Sequence, residues 1–184
     1  MVEGAGENLF WEFSLKIYHK PQVEDGLLLM QDRHGLDVNL VLLCCWLGGQ
    51  GIRLKEKPIK LLLAETVVWR QQIIEPLRHM RRMMKRDMAI CGSLPTETVR
   101  QHVKTAELEA EKFQQDMLYD KLNRLLGLDA RGADRAGLMR INMLTLISAT
   151  GCESDKGVLR PLLERIITAS SQVMGGVEGD GSEG

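Results

Sequence analysis

Aromatic side chains are scarce in this chain: three Trp, two Tyr and three Phe among 184 residues. Six of them (Phe10, Trp11, Phe13, Tyr18, Trp46 and Trp69) fall in the first 69 residues, so the densest packing is expected in that half. Long apolar runs are missing too. The most apolar stretch, Val38 to Leu47, is ten residues, where a membrane span needs about 20. The opening Met1-Val2-Glu3-Gly4 lacks the basic start and long apolar core of a secretory leader, so a cytoplasmic protein without a transmembrane segment is expected. Neither sign of charge is in excess: 24 Lys and Arg against 25 Asp and Glu leave a net charge of −1. No global field therefore draws the chain to nucleic acid or anionic membrane, and any such attraction must come from a local patch.

Sequence signatures of enzymes and metal sites are equally thin. Cysteines stand at 44, 45, 91 and 152, without Cys-x-x-Cys or Cys/His ligand spacing, which argues against a zinc knuckle or a thioredoxin-like motif. Buried free thiols in a reducing compartment are the simpler expectation. Gly48-Gly49-Gln50-Gly51 carries no lysine where a phosphate loop needs one, and neither His-Glu-x-x-His nor Glu-x-x-His occurs. No cofactor is indicated.

What the chain does have is helical spacing, with no convincing strand alternation, so the expected fold is all-α. Asn8 is suited to cap a first helix running to about His19, with apolar stripes Leu9-Phe13-Ile17 and Trp11-Leu15-Tyr18. A second helix is expected from Gln22 to Asp32 with Gly35 as its left-handed stop, and a third from Val38 to Leu47 behind Asp37 as its cap. This third helix, apolar all round except Asn39, is the expected centre of the core, with the following glycines ending it. Pro58 opens a long helix that Pro76 is expected to kink. Gly92 and Pro95 mark a turn, and a second long helix spans Thr96 to about Leu126. Its Val99, Val103, Ala106, Ala110, Phe113 and Met117 read as a heptad seam. The two make an antiparallel hairpin of about 45 Å at ~1.5 Å per residue. Two amphipathic helices follow, around 135–150 and 158–174. The expected organisation is a flexible start (1–7), one helical domain (8–174) and a disordered tail (175–184). Within the domain, bundled short helices fill 8–56, the hairpin 58–126 and the last helices 134–174.

Two places offer chemistry. The turn containing Gln31, Asp32, His34, Asp37 and Asn39 gathers carboxylates, an imidazole and amides, a set suited to a polar small molecule or a hard cation. Capping by Asp37, the stop at Gly35 and a core hydrogen bond from Asn39 explain most of the same turn without a ligand. The second place is the basic run Arg78, Arg81, Arg82, Lys85 and Arg86, which shares one side of a helix, with Leu77, Met80, Met84 and Met88 on another. It could meet phosphate or an acidic partner. Folding about the 92–95 turn instead sets 78–82 opposite 105–109, where Glu107 and Glu109, with Glu111 nearby, would neutralise it as exposed pairs worth about 0–1 kcal/mol each. That internal pairing is the favoured expectation. Cys44 and Cys45, inside an apolar helix, are expected to be inert.

The set Phe10-Trp11-Glu12-Phe13-Ser14-Leu15, Tyr18, Pro21, Val23, Gln31-Asp32, Gly35 and Asp37-Val38-Asn39-Leu40 resembles a family of small proteobacterial proteins, the domain of unknown function 2390. The similarity continues through Trp46, Trp69 and Pro76-Leu77-Arg78 to Arg81 and Lys85, covering roughly the first half of the chain. Gln22 stands where the family has a glycine after Pro21, and Leu27 and Met30 replace its cysteine and leucine. The resemblance implies a bacterial cytoplasmic protein, supplies no activity, and directs attention to Gln31, Asp32, Asp37 and Asn39. The leading functional expectation is a non-enzymatic interaction or adaptor module, binding an unidentified protein partner or itself. The alternatives are a small-molecule or metal-binding enzyme using the 31–39 turn, with Asp32, His34 and Asp37 at its centre, and nucleic-acid or anionic-lipid binding through the 78–86 helix.

Overall fold

Helix ends are set where side chains satisfy the free backbone amides, and the first helix shows it. The Asn8 side chain accepts from the amides of Phe10 (3.1 Å) and Trp11 (3.2 Å), starting α1, Leu9–Tyr18. In the computed structural model, which describes residues 8–86, 96–125, 134–152 and 156–175, α1 is followed by α2 (Val23–His34), α3 (Val38–Gly49) and α4 (Glu56–Trp69). Then come α5 (Glu75–Arg86), α6 (Glu97–Leu125), α7 (Arg135–Ala149) and α8 (Lys156–Gly175). The fold is all-α, with no strand among the described residues. The expected flexible start 1–7, the turn at Gly92 and Pro95, and the tail from 176 on lie outside the described residues.

Helix α3 is the centre of the core, as its composition requires. Leu40, Val41, Leu42, Leu43, Cys44, Cys45 and Leu47 are all buried, and α7 packs along it. It ends within the glycine run as expected: Gly48 and Gly49 form its last turn, and Gly51, at φ 81°, follows it. Gly48 is needed there, because a Cβ would stand 2.4 Å from the Met139 backbone nitrogen of α7. Asn142 of α7, fully buried, fixes the loop after α3: it accepts from the Leu54 amide at 2.7 Å and donates to the Ile52 carbonyl at 2.9 Å.

Between α4 and α5 the chain makes a π-helical turn, Arg70–Ile74, in which the Glu75 amide bonds back to the Arg70 carbonyl. The expected disturbance by Pro76 takes this form. A proline ring in a regular helix collides with the carbonyl four residues back and donates nothing, and the wider turn before it relieves both. The arms α4–α5 and α6 are antiparallel: Glu65 meets Lys121, Trp69 meets Ala110, and Arg78 meets Glu107 and Glu111.

The heptad reading of α6 is corrected by its burial. Of the six seam residues only Ala110 is buried; Val99 and Phe113 are 51% and 49% exposed. The covered face is Glu107, Ala110, Gln114, Gln115, Leu118 and Leu122. In its first half that face is mostly polar, which the chain tolerates because Glu107 meets arginines of α5 while Gln114 and Gln115 meet Asp37 and Asn39 at the start of α3. The Leu9 stripe of α1 needs the same correction: Leu9 is exposed, and Phe10 takes its place in the core.

Candidate functional site

Asp37 begins the site. As the cap of α3 its Oδ1 accepts from the amides of Asn39 (2.9 Å) and Leu40 (3.4 Å). Its Oδ2 accepts from Gln114 Nε2 at 2.6 Å and faces Arg70 Nε at 3.8 Å. Burial pushes the Asp37 pKa up, against the opposing pull of Gln114, Arg70 and the two amides. From there the hydrogen bonds continue through side-chain amides. Asn39 Nδ2 donates to Gln114 Oε1 at 2.6 Å, and Gln115 Nε2 donates to Asn39 Oδ1 at 2.8 Å. Asn39, Gln114 and Gln115 are all buried.

A second network joins α5 to α6. Arg78 donates to Glu107 (3.1 Å) and Glu111 (2.7 Å), and Arg81 binds both oxygens of Glu107. Glu107 is 6% exposed, so these are not the surface pairs expected from the sequence. Glu109 is exposed and takes no part in the pairing of Arg78 and Arg81. Burial raises the pKa of Glu111, with Arg78 opposing. Arg82 reaches across to α2 and grips Asp32 with bonds of 2.9 and 3.0 Å. Burial works against the Asp32 charge, but hydrogen bonds from Arg82 and Gln31 outweigh it and hold the pKa below its usual value. Lys85 is exposed, and the side chain of Arg86 lies outside the described residues.

Above these networks lies a cleft of about 510 Å³ between α1, α2, α3, α5 and α6, within the size range of small-molecule sites. Trp11, Leu15, Leu28, Leu42 and Leu108 supply apolar wall. Asn39 and Gln115, both buried, also line it, and Arg100, Lys104, His19 and Glu24 bring ionisable groups to it. The Tyr18 phenol, also in the lining, has its pKa raised to about 12 by burial and by the charges of Glu24 and Glu111. It stays protonated at neutral pH and keeps a hydroxyl to donate.

The two candidate regions read from the sequence thus meet: Asp32 pairs with Arg82, and Gln31, Asn39, Arg78 and Arg81 share one cleft lining. Asp32, His34 and Asp37 do not converge on it. None of the three lines it; the Asp32 carboxylate is held by Arg82 and that of Asp37 by the first amides of α3 and by Gln114. Among the described residues no group of three His, Cys, Asp or Glu could hold a metal ion. Burial raises the pKa of Cys44, and that of Cys45 to about 12, so both are thiols at neutral pH. Sequence reasoning missed Tyr18, Arg70, Arg100, Lys104, Gln114 and Gln115. The available signal was spacing: 100, 104, 107, 108, 111 and 115 share one side of a helix, and all but Leu108 are polar.

A model for a family described as protein of unknown function (DUF2390) matches residues 9–118, more than half of the chain, and the chain belongs to that family. The match reaches beyond the first half and contains every residue lining the cleft, from Trp11 to Gln115. No curated protein and no solved structure matches the chain. No helix among the described residues is long and apolar enough to cross a membrane.

Proposed function

We propose that this member of the DUF2390 family is a binding module that takes a small elongated molecule, apolar along its body and polar at its ends, into the cleft beside α6. The observation that carries the reading is the combination of apolar walls with buried amides in one cleft of about 510 Å³. Binding fits better than catalysis. Glu107 and Glu111 are committed to Arg78 and Arg81, and the buried thiols have raised pKa values. The same pairing weakens the case for nucleic acid or anionic lipid, because Arg78, Arg81 and Arg82 already hold acids.

Calorimetric titration with ω-hydroxydodecanoate, apolar along its chain and polar at both ends, tests the reading. Saturable one-to-one binding is expected, and Leu108→Trp, which fills the cleft from a half-exposed position, should weaken it at least tenfold. Absence of saturable binding, or equal binding by the filled variant, overturns it. A protein-interaction role draws on another surface, where Val68 is 66% exposed and Phe113 stands exposed with its ring 4.6 Å from Trp69. Self-association there would appear in sedimentation as a mass that rises with concentration and falls on Phe113→Glu; a constant monomer mass removes it.

A further inference from the structure

The amide chain behind the cleft has a direction. Asp37 Oδ2 accepts from Gln114 Nε2, so Gln114 turns its NH2 toward Asp37 and its carbonyl toward Asn39. Asn39 then donates to Gln114 and presents its own carbonyl to Gln115. Gln115 must in turn donate to Asn39, which leaves Gln115 Oε1 as the end of the relay. Reversing any one amide would set two carbonyl oxygens, or two NH2 groups, against each other. The orientation of the three thus runs outward from Asp37, and the Glu111 carbonyl, which also accepts from Asn39 Nδ2 at 3.5 Å, holds the same sense.

Gln115 is 2% exposed, lines the cleft, and its Oε1 has no hydrogen-bond partner among the described residues. A buried acceptor left unpaired is costly, and a neutral carbonyl can be satisfied only by a donor. We propose that the cleft selects ligands that end in an O–H or N–H group, which enters first and donates to Gln115 Oε1. The inference deepens the small-molecule reading and rests on it. Trp11 and Leu15 add apolar wall to the same cleft, and Lys104 lies about 16 Å from Gln115 along α6 at ~1.5 Å per residue. An extended chain rather than a compact one suits that path.

Two matched probes decide the matter: ω-hydroxydodecanoate and its ω-methoxy ether, titrated into the full chain by calorimetry. They share carboxylate and chain and differ in the terminal donor. The hydroxy acid is expected to bind about tenfold more tightly than the ether, the scale of one buried hydrogen bond. Gln115→Met, near in volume and without the acceptor, should bring the two affinities together. Should that variant not fold, the wild-type comparison decides alone. Equal affinities in wild type overturn the donor assignment and leave the cleft reading intact. If neither probe binds, both fall together.

Discussion

Glu107 shows how burial changes the worth of a charge. Exposed ion pairs contribute about 0–1 kcal/mol, but a buried carboxylate shared by two arginines leaves uncompensated charge when it is removed. Glu107→Ala is expected to destabilise the fold by about 3 kcal/mol in urea unfolding, with Glu109→Ala changing little. Gln22 offers the opposite change. It is the one non-glycine residue at positive φ among those described, at 65°, and it occupies the place where the resemblance called for glycine. A left-handed conformation costs a residue with a Cβ roughly 1–2 kcal/mol, so Gln22→Gly should stabilise by about 1 kcal/mol. A loss of stability there would contradict the backbone described for the α1–α2 turn.

Asp37 and Glu111 make the residue scale pH-dependent. Burial raises both pKa values above the ordinary 3.8 and 4.5. Between the ordinary and the raised value the folded chain holds more protons than the unfolded one. Stability from these groups is therefore present below the ordinary values and lost as pH rises through the raised ones. Relative to Asp37→Asn, wild type should gain stability as pH falls from neutral toward the ordinary carboxylate range. Chemical unfolding of both proteins across that range measures the difference; a gap that widens in the other direction would refute the cause assigned here.

Among the elements, the ends of helices were legible in the sequence because capping is local. Asn8, Asp37 and Gly35 stand where their side chains or backbone freedom predicted. The inner face of α6 was not legible. Its buried residues include Glu107, Gln114 and Gln115, types that normally face water, while Val99 and Phe113 face out. Only partners distant in sequence make that burial tolerable. The second role of Gly48 was hidden in the same way: a residue type that ends helices serves here also to let α7 approach. Gly48→Ala is accordingly expected to cost at least about 1–3 kcal/mol, since its methyl meets backbone rather than a movable side chain. Thermal unfolding checks this, and an unchanged midpoint would contradict the close crossing of α3 and α7.

At the scale of the molecule, the sequence supplied the fold class and both polar regions but not their convergence. The 31–39 turn and the 78–86 helix look like rival sites until Arg82 is seen on Asp32 and Arg78 and Arg81 in one lining with Gln31 and Asn39. The third contributor, α6, was read as an apolar seam and a source of counter-charge, and its two adjacent glutamines carry no motif. α7 and α8 add no residue to the cleft lining and serve the core beneath it. The most direct test of the whole account is a nitrogen–proton correlation spectrum of the side-chain amides and indoles during titration with ω-hydroxydodecanoate. Saturable shifts at Gln115, Asn39 and the Trp11 indole, with Trp69 unmoved, are the predicted result. Shifts concentrated at Trp69 with the Gln115 amide unchanged would place binding on the other face and contradict the account.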